Sequence, residues 1–69
     1  MSTVAISVNG QGLEVADGTT LAAVVARWSA SGKGIAVARN GEVVPRSAWP
    51  STGVRQDDEV EIVTAVAGG

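Results

Sequence analysis

The 69-residue chain contains no cysteine and no histidine. Without cysteine there is no disulfide, and no thiolate to bind zinc or attack a substrate. Without histidine the commonest general base and metal ligand near neutral pH is missing as well. Most enzyme chemistries are thereby excluded. Phenylalanine and tyrosine are also absent, which leaves Trp28 and Trp49 as the only large aromatic packing units. Both are expected in the core. No apolar run approaches the roughly 18 residues that a membrane span needs. The start shows no basic segment followed by an apolar stretch and no lipidation signal, so the cytoplasm is the expected compartment. Positive charge is scarce: five Lys and Arg face seven Asp and Glu, for a net charge of −2 and a pI near 4.7. That is the wrong sign for nucleic acid or an anionic membrane. A partner that is charged where it docks should be basic there.

What is present is a small, apolar, turn-rich chain. At 45% hydrophobic residues it is too apolar for disorder. Its length predicts one domain that buries only about 60% of its unfolded surface. Val4, Ile6 and Val8 alternate with Thr3, Ala5 and Ser7, which is the period of a half-buried strand. Asn9-Gly10 follows, and both positions tolerate the positive φ of a two-residue hairpin loop. That register sets Ile6 opposite Leu13 and Val4 opposite Val15, so turn chemistry and hydrophobic pattern agree on a hairpin over residues 3–15.

Asp17-Gly18 ends the second strand, and Thr19 or Thr20 can cap a helix over residues 20–31. Leu21, Val24, Val25 and Trp28 form its apolar stripe, and Ser31-Gly32-Lys33-Gly34 supplies the stop. A second hairpin is expected around Asn40-Gly41, pairing Val37 with Val44 and Arg39 with Glu42. Pro45 should end that strand. The connection to Asp58 is expected to hold one helical turn at Ser47-Ala48-Trp49, with Trp49 as its anchor. A last strand from Glu59 to Val66 turns Val60 and Ile62 to one face and Glu61, Val63 and Ala65 to the other. Hairpin, helix, hairpin, long connection and final strand make an α+β chain. A helix joining two hairpins on one sheet face is the arrangement of a β-grasp domain: a mixed sheet of about five strands with one helix packed on one face. The expected division is a β-grasp domain at residues 1–65 and a flexible C-terminal carrier tail at 66–69.

The candidate working part is Ala67-Gly68-Gly69. Following directly from a strand, this end is projected on a short arm without side chains, which can thread a narrow channel. The sequence resembles the ubiquitin-like sulfur carriers, most closely those of thiamine biosynthesis. The resemblance covers essentially the whole chain. It rests on Asp17-Gly18-Thr19-Thr20-Leu21, on Ile35 to Gly41 leading into Val43-Val44-Pro45-Arg46-Ser47-Ala48-Trp49, and on Val60-Glu61-Ile62-Val63 running to Gly68-Gly69. The pair Asp57-Asp58 stands where such carriers often have Gly-Asp.

The resemblance implies a β-grasp (ubiquitin-like) carrier that is not itself an enzyme and binds no cofactor or metal. A partner adenylating (E1-like) enzyme would use Mg-ATP to adenylate the Gly69 carboxylate. A sulfur donor system would then convert the adenylate to a thiocarboxylate, and a thiazole synthase would accept the sulfur. Gly68 would allow close backbone approach. The division of labour fits the residues, because a C-terminal carboxylate has a pKa of about 3.3–3.7 and as an anion is a poor electrophile until activated.

Other features stay open at this level. Small residues on the sheet face away from the helix, Ala5, Ser7, Ala36, Ala38, Val43, Val63 and Ala65, are either a docking patch for partner enzymes or residues merely tolerated on an open face. Arg39, Arg46 and Arg55 either pair with acidic groups of a partner or simply solubilise the surface. Asp57-Asp58-Glu59 reads as a solvated turn, and without other ligands it is weak support for metal or acid-base work. Lys33 is the sole lysine, a poor complement for an acceptor of modifier chains. Three rivals remain: the small subunit of molybdopterin synthase, a carrier for cysteine or another sulfur metabolite, and a ubiquitin-like binding module or protein modifier.

Overall fold

The computed structural model describes residues 2–29 and 33–64. Five strands and one α-helix are described: β1 (Thr3–Val8), β2 (Gln11–Ala16), α1 (Leu21–Ala26), β3 (Ile35–Arg39), β4 (Glu42–Val44) and β5 (Glu59–Thr64). A 3₁₀ segment, Arg46–Ser51, lies in the long connection. The sheet order is β2-β1-β5-β3-β4, so the last strand of the sequence occupies the centre. Its pairing with β1 is parallel and every other pairing is antiparallel. This is the mixed β-grasp sheet.

Both hairpins follow their turns. Asn9 and Asn40 adopt φ of 52° and 53°, and Gly10 and Gly41 follow at 80° and 82°, the left-handed pairs that match the twist of the flanking strands. The registers are Val4↔Val15 and Ile6↔Leu13 in the first hairpin, and Val37↔Val44 and Arg39↔Glu42 in the second. Thr20 caps α1: its backbone is extended and its hydroxyl accepts from Ala23 N at 3.2 Å. Thr19 bonds backwards to Ala16 O instead.

The core joins Ile6, Val8, Val15, Val37, Val60 and Ile62 of the sheet to Leu21, Val24 and Val25 of α1. Trp49 and Val54 of the connection complete it. Trp49 is 5% exposed, and its indole Nε1 donates to Val44 O at 2.9 Å, so the polar handle of the ring is satisfied inside the core. The connection is stitched to the helix start by Leu21 N to Thr52 O and Val54 N to Thr19 O.

Trp28 departs from expectation: it is 43% exposed. The regular helix stops at Ala26, and the next bonds, Arg27 N to Val24 O and Trp28 N to Val25 O, are i→i−3. Trp28 thus lies two residues beyond the regular helix, past Val24 and Val25, and is covered on one side only. The expected stop at Ser31-Gly32 falls outside the described residues, as do the last strand's extension to Ala65 and Val66 and the tail.

Candidate functional site

The sheet has two unlike faces. Residues that share a strand with the core residues but have the opposite parity lie on the face away from α1: Ala5 and Ser7 on β1, Glu14 on β2, Glu59, Glu61 and Val63 on β5, Ala36 and Ala38 on β3, and Val43 on β4. The register brings the expected patch together. Val63 faces Ala36, Ala38 faces Val43 on one side and Glu61 on the other, and Val43 and Val63 are 73% and 60% exposed. Ala65, the remaining member, lies outside the described residues. Along β5 the open face reads Glu59, Glu61, Val63, so acid gives way to apolar surface toward the end that leads to the tail. No basic residue occupies an open-face position on any of the five described strands. A shallow depression of about 330 Å³, lined by Ala5, Ile6, Ser7, Asp57, Asp58 and Glu59, extends the acidic side.

The acidic turn is more than a solvated loop. Asp58 is 5% exposed. Its carboxylate accepts from Arg39 Nε at 2.7 Å, Asn40 Nδ2 at 3.0 Å and Arg55 N at 2.8 Å. One side chain thus ties the β3–β4 turn to the turn before β5. Arg39 is accordingly engaged within the chain and is not an ordinary solubilising charge, while Arg46 and Arg55 are exposed. Burial pushes the Asp58 carboxyl up, but the hydrogen bonds from Arg39, Asn40 and Arg55 N, with the Arg39 charge, outweigh it and hold the pKa below its ordinary value.

A depressed folded-state pKa contributes stability that is present above the unfolded value and is lost as pH falls through the folded one. Replacing Asp58 by Asn should cost about 2 kcal/mol near pH 7. The gap between the two proteins should narrow as pH falls below the ordinary carboxyl value of about 3.9, where the unfolded chain takes up the proton first, and on through the lower folded value. Thermal melts of both proteins from pH 7 to pH 2.5 check this; a gap independent of pH would contradict it.

Asp57 adopts φ of 68°, a left-handed conformation that Asp tolerates better than most residues and Gly adopts freely. Asp can therefore stand at position 57 without the glycine that the resemblance led one to expect there. Among the described residues no group of three or more His, Cys, Asp or Glu could hold a metal ion. No helix among them is long and apolar enough to cross a membrane.

Gly69, expected from the sequence as the position of adenylation, and its neighbours Ala67 and Gly68 lie outside the described residues. What is described is the strand that leads to them, flanked by β1 on one side and β3 on the other. The family model of the ThiS family matches residues 3–69, through both final glycines. The chain belongs to the ThiS family. A solved ThiS structure, the thiamine biosynthesis protein from Geobacter metallireducens, superposes with a TM-score of 0.79 at 30% identity. The match covers 96% of this chain and 100% of that one, so the two share the β-grasp fold over nearly their whole lengths. A search of curated proteins found no match.

Sequence reasoning found the open face of this ThiS family member but missed three residues. Asp58 was hidden in an acidic run, and the side chains of Asn9 and Asn40 were hidden behind their turn role. Choice of Asn over Gly at both left-handed positions was the available signal, since a carboxamide adds a donor and an acceptor that the turn does not use.

Proposed function

We propose that this chain is a sulfur carrier of thiamine biosynthesis whose reactive group is the Gly69 carboxylate. The observation that carries the reading is that the family match runs through residue 69, keeping Gly68-Gly69 inside it. The carboxylate attacks the α-phosphorus of Mg-ATP on an adenylating enzyme, pyrophosphate leaves, and an acyl-adenylate forms. A sulfur nucleophile from the donor system then displaces AMP to leave a thiocarboxylate, from which a thiazole synthase takes the sulfur. The carrier contributes no catalytic side chain. This agrees with a chain lacking His and Cys, and the cytoplasm, where ATP is available, is the compartment we assign.

The apolar patch of Ala36, Ala38, Val43 and Val63, with Ala65 beyond it, serves as the docking surface. Its position on the strand that leads to the tail lets one enzyme hold the sheet and reach the end. Coexpression with the host's adenylating and sulfur-donating enzymes should yield a species heavier by one sulfur minus one oxygen, with the change mapped to Gly69. A chain that never gains this mass refutes the carrier reading, and one recovered joined to lysines of other proteins supports the modifier reading instead.

For the patch, Ala38→Arg and Val63→Arg should each leave the melting temperature nearly unchanged, since both positions face solvent. Each should raise the carrier concentration needed for half-maximal adenylation by about tenfold or more. Unaltered adenylation kinetics in both variants would remove the patch from docking.

A further inference from the structure

The backbone of β1 pairs with β5 only at Ser7↔Glu59 and Val8↔Val60 before the chain turns away at Asn9. Asn9 N still donates to Val60 O at 2.9 Å. A parallel ladder would continue with a peptide group of β1 facing Ile62, but the β1 backbone has left. The carboxamide of Asn9 stands in its place. Nδ2 donates to Ile62 O at 3.1 Å, and Oδ1 accepts from Ile62 N at 2.8 Å. A primary carboxamide offers the same donor and acceptor as a peptide group, so it extends the ladder by one rung. Because Ile62 presents one N–H and one C=O, only one orientation of the amide satisfies both.

Asn40 does the equivalent at the start of β5. Its backbone N donates to Glu59 O at 2.7 Å and its Oδ1 accepts from Glu59 N at 2.9 Å. The two left-handed turn residues therefore hold the same strand from opposite sides. Asn40 grips its beginning, and Asn9 grips Ile62, two residues before Thr64, where β5 ends. The hairpin turn does not require this, because a glycine at position 9 would adopt the same φ without strain.

We propose that Asn9 is a positioning residue for the chain's end. Its carboxamide keeps β5 in register as far as the tail and so fixes the direction in which Gly69 is presented to an activating enzyme. This rests on the sulfur-carrier reading of Gly69. Without the carboxamide, Ile62 loses both partners on the β1 side, and β5 is held beyond Val60 by β3 alone. The docking patch is untouched, so the enzyme should bind the carrier as before but receive the carboxylate in the reactive position less often.

The test compares wild type with Asn9→Gly, which keeps the turn backbone, and Asn9→Asp, which keeps an acceptor but sets an oxygen against the Ile62 carbonyl. Amide exchange of the free proteins is measured at Ile62 and, as a control for global stability, at Val37. Pyrophosphate release by the adenylating enzyme is measured against carrier concentration. The expected result in both variants is Ile62 exchange about tenfold faster relative to Val37, with kcat lower by about tenfold and KM within about twofold. A merely structural role would change Ile62 and Val37 together and leave kcat of the folded protein unaltered, and either outcome overturns the proposal. If wild type supports no pyrophosphate release, the carrier reading fails and this proposal fails with it. Wild-type turnover with unchanged variant kinetics defeats the proposal alone.

Discussion

A variant lacking Gly69 is expected to fold like the wild type and to carry no sulfur. All the buried hydrophobic residues described lie between Ile6 and Ile62, so shortening the end removes nothing from the core. Stability should change by less than about 0.5 kcal/mol. The chemistry is far less tolerant. Deletion draws the carboxylate back by one residue, about 3.5 Å of extended chain, whereas a misplacement of about 1 Å can already cost 10²-fold in rate. Adenylation should therefore fall by at least about 10²-fold. Replacing Gly69 by Val should do the same, by placing a branched side chain where close backbone approach is needed. Intact-mass measurement after coexpression with the partner enzymes reads the outcome, and circular dichroism confirms the fold. A shortened chain that still acquires sulfur would remove Gly69 from its proposed role.

The second large effect separates the two tryptophans. Trp49→Ala should cost about 3–5 kcal/mol, the usual range for emptying a buried aromatic site. It also removes the indole bond to the Val44 carbonyl. A domain of this size has a total stability of only roughly 3–10 kcal/mol. The melting temperature should drop by at least about 12 °C, and part of the population should be unfolded near 25 °C. Trp28→Ala, at a position 43% exposed, should cost under about 1 kcal/mol. Denaturant titrations of both variants provide the comparison. Equal losses would mean that Trp28 packs more closely than its exposure indicates.

These two residues also mark where sequence reasoning reached its limit. Both are aromatic, both lie in segments expected to be helical, and nothing in the composition ranks one above the other. Trp28 sat on a stripe of the correct spacing, yet the regular helix ends at Ala26, two residues short of it, and leaves it 43% exposed. Trp49 entered the core because Pro45 ends β4 and the 3₁₀ segment folds back against α1. Where a helix ends depends on what packs against it, and local spacing does not carry that information.

The same division runs through the candidate site. Both hairpin registers were legible because an Asn-Gly turn fixes pairing within a few residues and the alternating apolar pattern confirms it. The identity of the open face followed, since parity along a strand is a local property. The buried role of Asp58 was not legible, because its partners Arg39 and Asn40 are brought to it only when β5 inserts beside β3.

By itself the sequence determined the elements, their turns, the two faces of each strand and the glycine end, all of which rest on interactions between near neighbours. Only the tertiary structure decided that β5 lies at the centre of the sheet. From that position Asn9, 53 residues away in sequence, can bond to Ile62. The physical reason is that a carboxamide's bonding needs are visible in the sequence, but the backbone left unpaired for it exists only after distant strands have met.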